Sequence, residues 1–109
     1  MTAYAIAHLQ DVDLGPEILS YISTIDATLI PFGGRFLVHG ATPEVVEGPW
    51  PGDLVMIAFP DMEAARGWYA SPAYREIQPL RTRNSTSVTV LVDGVPEGYK
   101  ATQVLAKLG

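Results

Sequence analysis

Pro31-Phe32-Gly33-Gly34-Arg35-Phe36-Leu37-Val38-His39-Gly40 is the stretch that decides how this chain folds. Pro31 forbids a regular continuation of a helix arriving from upstream, and Gly33-Gly34 supplies the positive backbone angles of a stop and turn. A strand over residues 35–40 follows directly. It carries Arg35 and His39 two pleat repeats apart, about 13 Å at ~3.3 Å per residue.

The helix before the turn declares itself by spacing. Ile18, Ile22, Ile25, Leu29 and Phe32 recur every three or four residues as one apolar stripe. Leu14-Gly15-Pro16 opens it, proline being well tolerated at the first helical position. Upstream, residues 3–10 alternate as a strand, with Tyr4, Ile6 and His8 on one face and Ala5, Ala7 and Leu9 on the other. Downstream, Asp53 to Phe59 is a nearly unbroken apolar run, expected in mid-sheet. Asp61 caps the helix that follows. That helix breaks and restarts at Ser71-Pro72, and Pro79 is expected to end the second piece. Residues 87–93 form the last strand. Ala101, Leu105 and Leu108 share a helical face, so residues 96–109 read as a tail ending in a short packed helix.

Composition bounds the rest. A chain of 109 residues fits one domain with one core. With 48% hydrophobic and 17% charged residues it is neither disordered nor membrane-spanning. Met1-Thr2-Ala3-Tyr4 lacks the basic flank of a signal peptide, so a cytoplasmic location is expected. The absence of cysteine excludes disulfides, a thiolate nucleophile and a sulfur-built zinc site. A net charge of -5 argues against nucleic-acid binding, which needs cationic surface to displace counterions.

The order strand, helix, strand, strand, helix, strand makes a ferredoxin-like βαββαβ antiparallel sheet with both helices on one face, an α+β domain over residues 1–95. The other face needs cover. On this reading it carries Ala5, Ala7, Leu9, Phe36 and Val38, too apolar to leave in water. A second copy supplies that cover, so the expectation is a homodimer closing a dimeric α+β barrel.

The chain also resembles the family catalogued as domain of unknown function 1330, a branch of the dimeric α+β barrel superfamily. The resemblance rests on Gly33-Gly34-Arg35-Phe36-Leu37-Val38, Glu47-Gly48 with Trp50, Ile57-Ala58-Phe59-Pro60-Asp61-Met62-Glu63-Ala64-Ala65, Trp68-Tyr69-Ala70-Ser71-Pro72-Ala73-Tyr74, Pro79-Leu80-Arg81 and Val92-Asp93-Gly94-Val95. It covers roughly residues 3–95. It implies the fold and the dimer, and little about activity, because the superfamily hosts monooxygenases, isomerases, dehalogenating enzymes and simple binders.

The chemistry-bearing residues are few. His8 and His39 are the only imidazoles, the side chain suited to proton transfer near neutrality, and are the candidate catalytic groups. Arg35 is the candidate anchor for a carboxylate, which a guanidinium grips with two prongs. Its structural alternative is a salt bridge to Glu44, Glu47 or Asp61. Trp68, Tyr69 and Tyr74 are candidate ligand-contacting aromatics, and Arg81 a second candidate cation. If the faces of His8, Arg35 and His39 look toward the helices, these groups line one cavity fit for a small anionic or enolisable ligand.

Other chemistries find no footing. No HExxH or matched acidic cluster supports a metal, no GxGxxG or GxxxxGK loop leads from strand into helix, and Ser71 reads as a helix cap rather than a nucleophile. No cofactor is expected. Two classes remain. One is a cofactor-independent, monooxygenase- or isomerase-like enzyme acting by acid–base chemistry on a small aromatic or carboxylated metabolite. The other is a non-catalytic dimeric ligand-binding or scaffold protein.

Overall fold

The computed structural model describes residues 1–108. Its elements run β1 (Ala3–Gln10), α1 (Pro16–Leu29), β2 (Arg35–Val38), β3 (Asp53–Phe59), α2 (Met62–Ala70), α3 (Pro72–Thr82), β4 (Thr86–Asp93) and α4 (Leu105–Leu108). The strands form one sheet in the order β2-β3-β1-β4, and every pairing is antiparallel. This is the ferredoxin-like arrangement. No helix is long and apolar enough to cross a membrane among the described residues.

Punctuation places the helices as the sequence says. Gly15 precedes α1 without a side-chain cap, and Pro16 takes the first turn, where its missing N–H costs nothing. A 3-10 turn over Ile30–Phe32 extends α1. Gly33 then adopts φ +67° and donates to the Ile30 carbonyl at 3.2 Å, while Gly34 donates to Leu29 at 3.2 Å. Gly34 also has no room for a side chain: a Cβ there would lie 2.8 Å from both Leu29 and Phe59. Asp61 caps α2 by accepting from the Ala64 N–H at 2.8 Å. Ser71 caps α3, accepting from Tyr74 N–H at 3.3 Å and donating to the Trp68 carbonyl at 2.7 Å.

Pro79 departs from expectation. It sits inside α3, which continues to Thr82. A proline there removes one backbone bond near the end of the helix, and the turn survives because Arg83 N–H still reaches the Pro79 carbonyl at 3.0 Å. The second strand is also shorter than read, ending at Val38, with a bulge between Phe36 and Val38.

The core lies between the helices and one sheet face. Ala3 pairs with Phe59, and Ala5 with Ile57 and Leu91, so these residues share the covered face. Trp68 stacks on Phe59 at 5.4 Å and on Tyr74 at 4.1 Å between ring centres, and all three are fully buried. Burying each side chain of that size stabilises by about 1.5–3 kcal/mol. The Trp68 indole N–H donates to Thr28 Oγ1 at 3.0 Å, and the Thr28 hydroxyl donates to the Ile25 carbonyl at 2.6 Å.

The two sheet faces are the reverse of the sequence reading. Ala5, Ala7, Leu9 and Phe36, expected on the open face, lie under the helices. The reason is volume: α2 and α3 send Trp68 and Tyr74 down onto the sheet, and only small residues on the central strand leave them space. The open face instead carries Ile6, Met56 and Val90 in register, joined by Val38 beyond the bulge. Val88, Val90 and Val92 stand 61%, 48% and 44% exposed there. The tail forms a 3-10 turn over Ala101–Val104 and then α4, with Val104, Leu105 and Leu108 exposed in the single chain. Gly109, the end of the tail read as a short packed helix, lies outside the described residues.

Candidate functional site

A cavity of about 480 Å³ opens between α1 and the covered sheet face. That volume lies within the range of small-molecule sites. Its existence follows from composition. Ala5 and Ala7 on the central strand put methyl groups where larger residues would fill the space beneath Ile18, Ile22 and Ile25 of α1. The mouth is framed by exposed Asp11, His39, Gly40, Gly52 and Asp53, and the deep end by Trp68, Tyr74, Tyr21 and Arg81.

The deep end is polar inside an apolar shell. Tyr21 and Tyr74 share a hydrogen bond between their hydroxyls at 2.7 Å. Arg81, only 6% exposed, donates from Nη1 to Ser87 Oγ at 2.5 Å. Burial works against its charge, but the phenolic oxygens of Tyr74 and Tyr21 more than offset this and hold its pKa above the usual guanidinium value. Burial, followed by the adjoining Tyr74, raises the Tyr21 phenol well beyond the ordinary range, so it stays neutral. Among the described residues Arg81 has no carboxylate partner, and the ion pair is Arg83 with Glu17, at 2.5 Å. A buried cation satisfied by neutral oxygens retains its positive field and attracts an anion.

The candidate residues divide. His39, Trp68, Tyr74 and Arg81 line the cavity. His39 stacks on Phe36 with ring centres 4.7 Å apart. The structure does not bring His8 and Arg35 there. His8 alternates with Ala7 and so points to the open face, where its Nε2–H donates to the Pro51 carbonyl and its ring packs on Trp50 at 4.5 Å. Arg35 pairs with Ala58, itself opposite Tyr4, and therefore shares that open face. It is exposed, and the alternative of a salt bridge to Glu44, Glu47 or Asp61 is not formed either. His39 reaches the cavity only because the bulge at Phe36–Val38 resets the alternation. Tyr69 stands outside the cavity lining, its hydroxyl accepting from Gln78 Nε2 at 3.3 Å.

Tyr21 and Thr89 are cavity residues that the sequence reading missed. Tyr21 sits three residues after Ile18 and four before Ile25, on the flank of the stripe, and that spacing was the available signal. Thr89 is one polar residue in a valine-rich strand, with no local signal. Among the described residues no group of three or more histidines and carboxylates is placed to hold a metal.

Solved structures with this fold bear little sequence likeness to it. A dimeric ferredoxin-like protein of unknown function from Jannaschia sp. aligns with a TM-score of 0.65 at 11% identity, covering 86% of this chain and 100% of its own. A protein of unknown function from Rhodopseudomonas palustris gives 0.63 at 14% identity, covering 87% and 83%. SnoaB, a cofactor-independent oxygenase from Streptomyces nogalater, gives 0.53 at 20% identity, covering 91% and 96%. At these identities the likeness concerns the fold alone. No curated protein matches the chain in sequence. A family match does, running over residues 2–95 and taking in every strand and the first three helices. The chain belongs to the family described as Domain of unknown function (DUF1330).

Proposed function

We propose that this protein is a homodimer in which the cavity of each subunit takes up a small aromatic carboxylic acid, bound or converted without a tightly held cofactor. The observation that carries the reading is Arg81: a buried guanidinium with no carboxylate partner among the described residues, at the deep end of a mostly apolar cavity of about 480 Å³. A carboxylate there gains charge-assisted hydrogen bonds from Arg81, while the aromatic ring lies against Trp68 and Tyr74. His39, at the mouth, is the group placed to move a proton. SnoaB uses the same fold for cofactor-independent oxygenation, so the architecture accommodates such chemistry without specifying it.

The dimer is supported by the exposed valines of β4 on the open face, and the Jannaschia relative is itself dimeric. Residues 1–95 form the barrel unit in this proposal and residues 96–109 a tail appended to it. The scaffold alternative draws on the bond from Arg81 to Ser87, which braces α3 against β4.

Calorimetric titration with benzoate decides between them. The wild type should bind, and Arg81→Met should weaken binding at least tenfold, given about 1.5–3 kcal/mol for a hydrogen bond to a charged group. Arg81→Lys, which keeps the charge, should recover part of the loss. Arg35→Ala should leave affinity unchanged. Equal binding by wild type and a folded Arg81→Met would assign Arg81 to the brace.

A further inference from the structure

The cavity holds a second polar point besides Arg81. Thr89 lines the floor, and its buried hydroxyl oxygen has no hydrogen-bond partner among the described residues. A buried hydroxyl left unpaired is costly, and such groups are uncommon in folded proteins. Thr89 is opposite Ala7 in the β1–β4 register, while Ser87, which holds Arg81, is opposite Leu9. The two therefore share the cavity face of β4, separated by one pleat repeat of about 6.6 Å. Arg81, reaching from α3 to Ser87, and the unsatisfied hydroxyl of Thr89 form two recognition points along the cavity face of β4. On the neighbouring strand the path is flanked by Leu9 at the Ser87 end and by the small Ala7 at the Thr89 end, which leaves room above Thr89.

We infer that the ligand of this cavity is an aromatic acid with a second oxygen across the ring from its carboxylate, the carboxylate at Arg81 and the ring hydroxyl or carbonyl at Thr89. The inference rests on the cavity reading above and adds the position of the second group. A para-hydroxybenzoic acid separates its carboxylate and phenolic oxygens by about one pleat repeat of a strand, whereas an ortho isomer places both at one end. Threonine moves between staggered χ1 wells, which lets its hydroxyl turn to an incoming oxygen. The site thus discriminates by position as well as by charge, because an acid lacking the second oxygen leaves Thr89 unpaired.

Titration of the full-length protein with benzoate, 2-hydroxybenzoate and 4-hydroxybenzoate tests this. The wild type should favour 4-hydroxybenzoate over benzoate by about five- to tenfold, the usual worth of one hydrogen bond, and 2-hydroxybenzoate should gain no such advantage. Thr89→Val should abolish the preference while leaving benzoate affinity near wild type, and Thr89→Ser, which keeps the hydroxyl, should retain it. Thr89→Val should also melt no lower than the wild type, since it deletes an unpaired buried hydroxyl. Benzoate binding with no preference among the acids, or a preference that survives in Thr89→Val, overturns the inference and leaves the cavity reading standing. Failure of all three acids to bind the wild type overturns both.

Discussion

Replacing Thr28 by valine probes how the back wall of the cavity is held. Thr28 is buried, and its hydroxyl does two things at once: it accepts from the Trp68 indole at 3.0 Å and donates to the Ile25 carbonyl at 2.6 Å. Valine keeps the shape and removes both bonds. The Ile25 carbonyl lies within α1 and keeps its helical role, so the larger loss is the Trp68 N–H, stranded in a fully buried ring. An unpaired buried donor costs about 1–3 kcal/mol. The methyl that replaces the hydroxyl returns up to about 0.8 kcal/mol of apolar burial. The net destabilisation is then about 1–2 kcal/mol. For a domain near this size each kcal/mol shifts the midpoint by about 4–8 °C, so the melting temperature should fall by roughly 4–16 °C. Thermal unfolding followed by circular dichroism measures it, with protein concentration fixed because any self-association couples to stability. Thr28→Ser should stay within about 2 °C of wild type after allowance for its lost methyl. A Thr28→Val protein as stable as wild type would refute the claim that this bond holds α2 to α1.

Three further outcomes follow from the same structure. Val90→Glu places a charge in the middle of the open valine face, and sedimentation at micromolar concentration should show one chain where the wild type shows two; an unchanged dimer would move the interface elsewhere. Glu17 bonds to Asn84 and Arg83, which lower its pKa below the ordinary 4.5. Because the folded value is depressed, its contribution is present above pH 4.5 and is lost as pH falls through the lowered value, so Glu17→Gln should lie slightly below wild type in stability near neutrality and converge with it in acid. If the tail docks on the partner subunit or on the chain's own helices, deleting residues 97–109 should lower the melting temperature by several degrees, and an unchanged curve would mark those residues as a free appendage.

The backbone was largely legible because its breaks are chemical. Pro16, Gly33-Gly34, Asp61 and Ser71-Pro72 each act locally, and each sits where its own geometry demands. The direction of the sheet faces was not legible. Both faces of β1 are apolar, and alternation gives parity without saying which parity meets the helices. The sequence reading set the alanine face outward, whereas the deciding quantity is the volume of Trp68 and Tyr74 arriving from the helices. The bulge in β2 compounded this, since nothing between Phe36 and Val38 announces an extra residue, yet it separates His39 from Arg35. Arg81 was recognisable as a candidate from the sequence, but its burial without an acid depends on how α3 packs against α1 and brings Tyr21 beside it, which no local pattern encodes.

The most direct test of the cavity assignment is a crystal structure of the protein with 4-hydroxybenzoate at saturating concentration. One acid should lie in each chain between α1 and the sheet, its carboxylate about 2.7–2.9 Å from the Arg81 guanidinium and its ring against Trp68 and Tyr74. An empty cavity with the acid bound instead at Arg35 on the open face would contradict it.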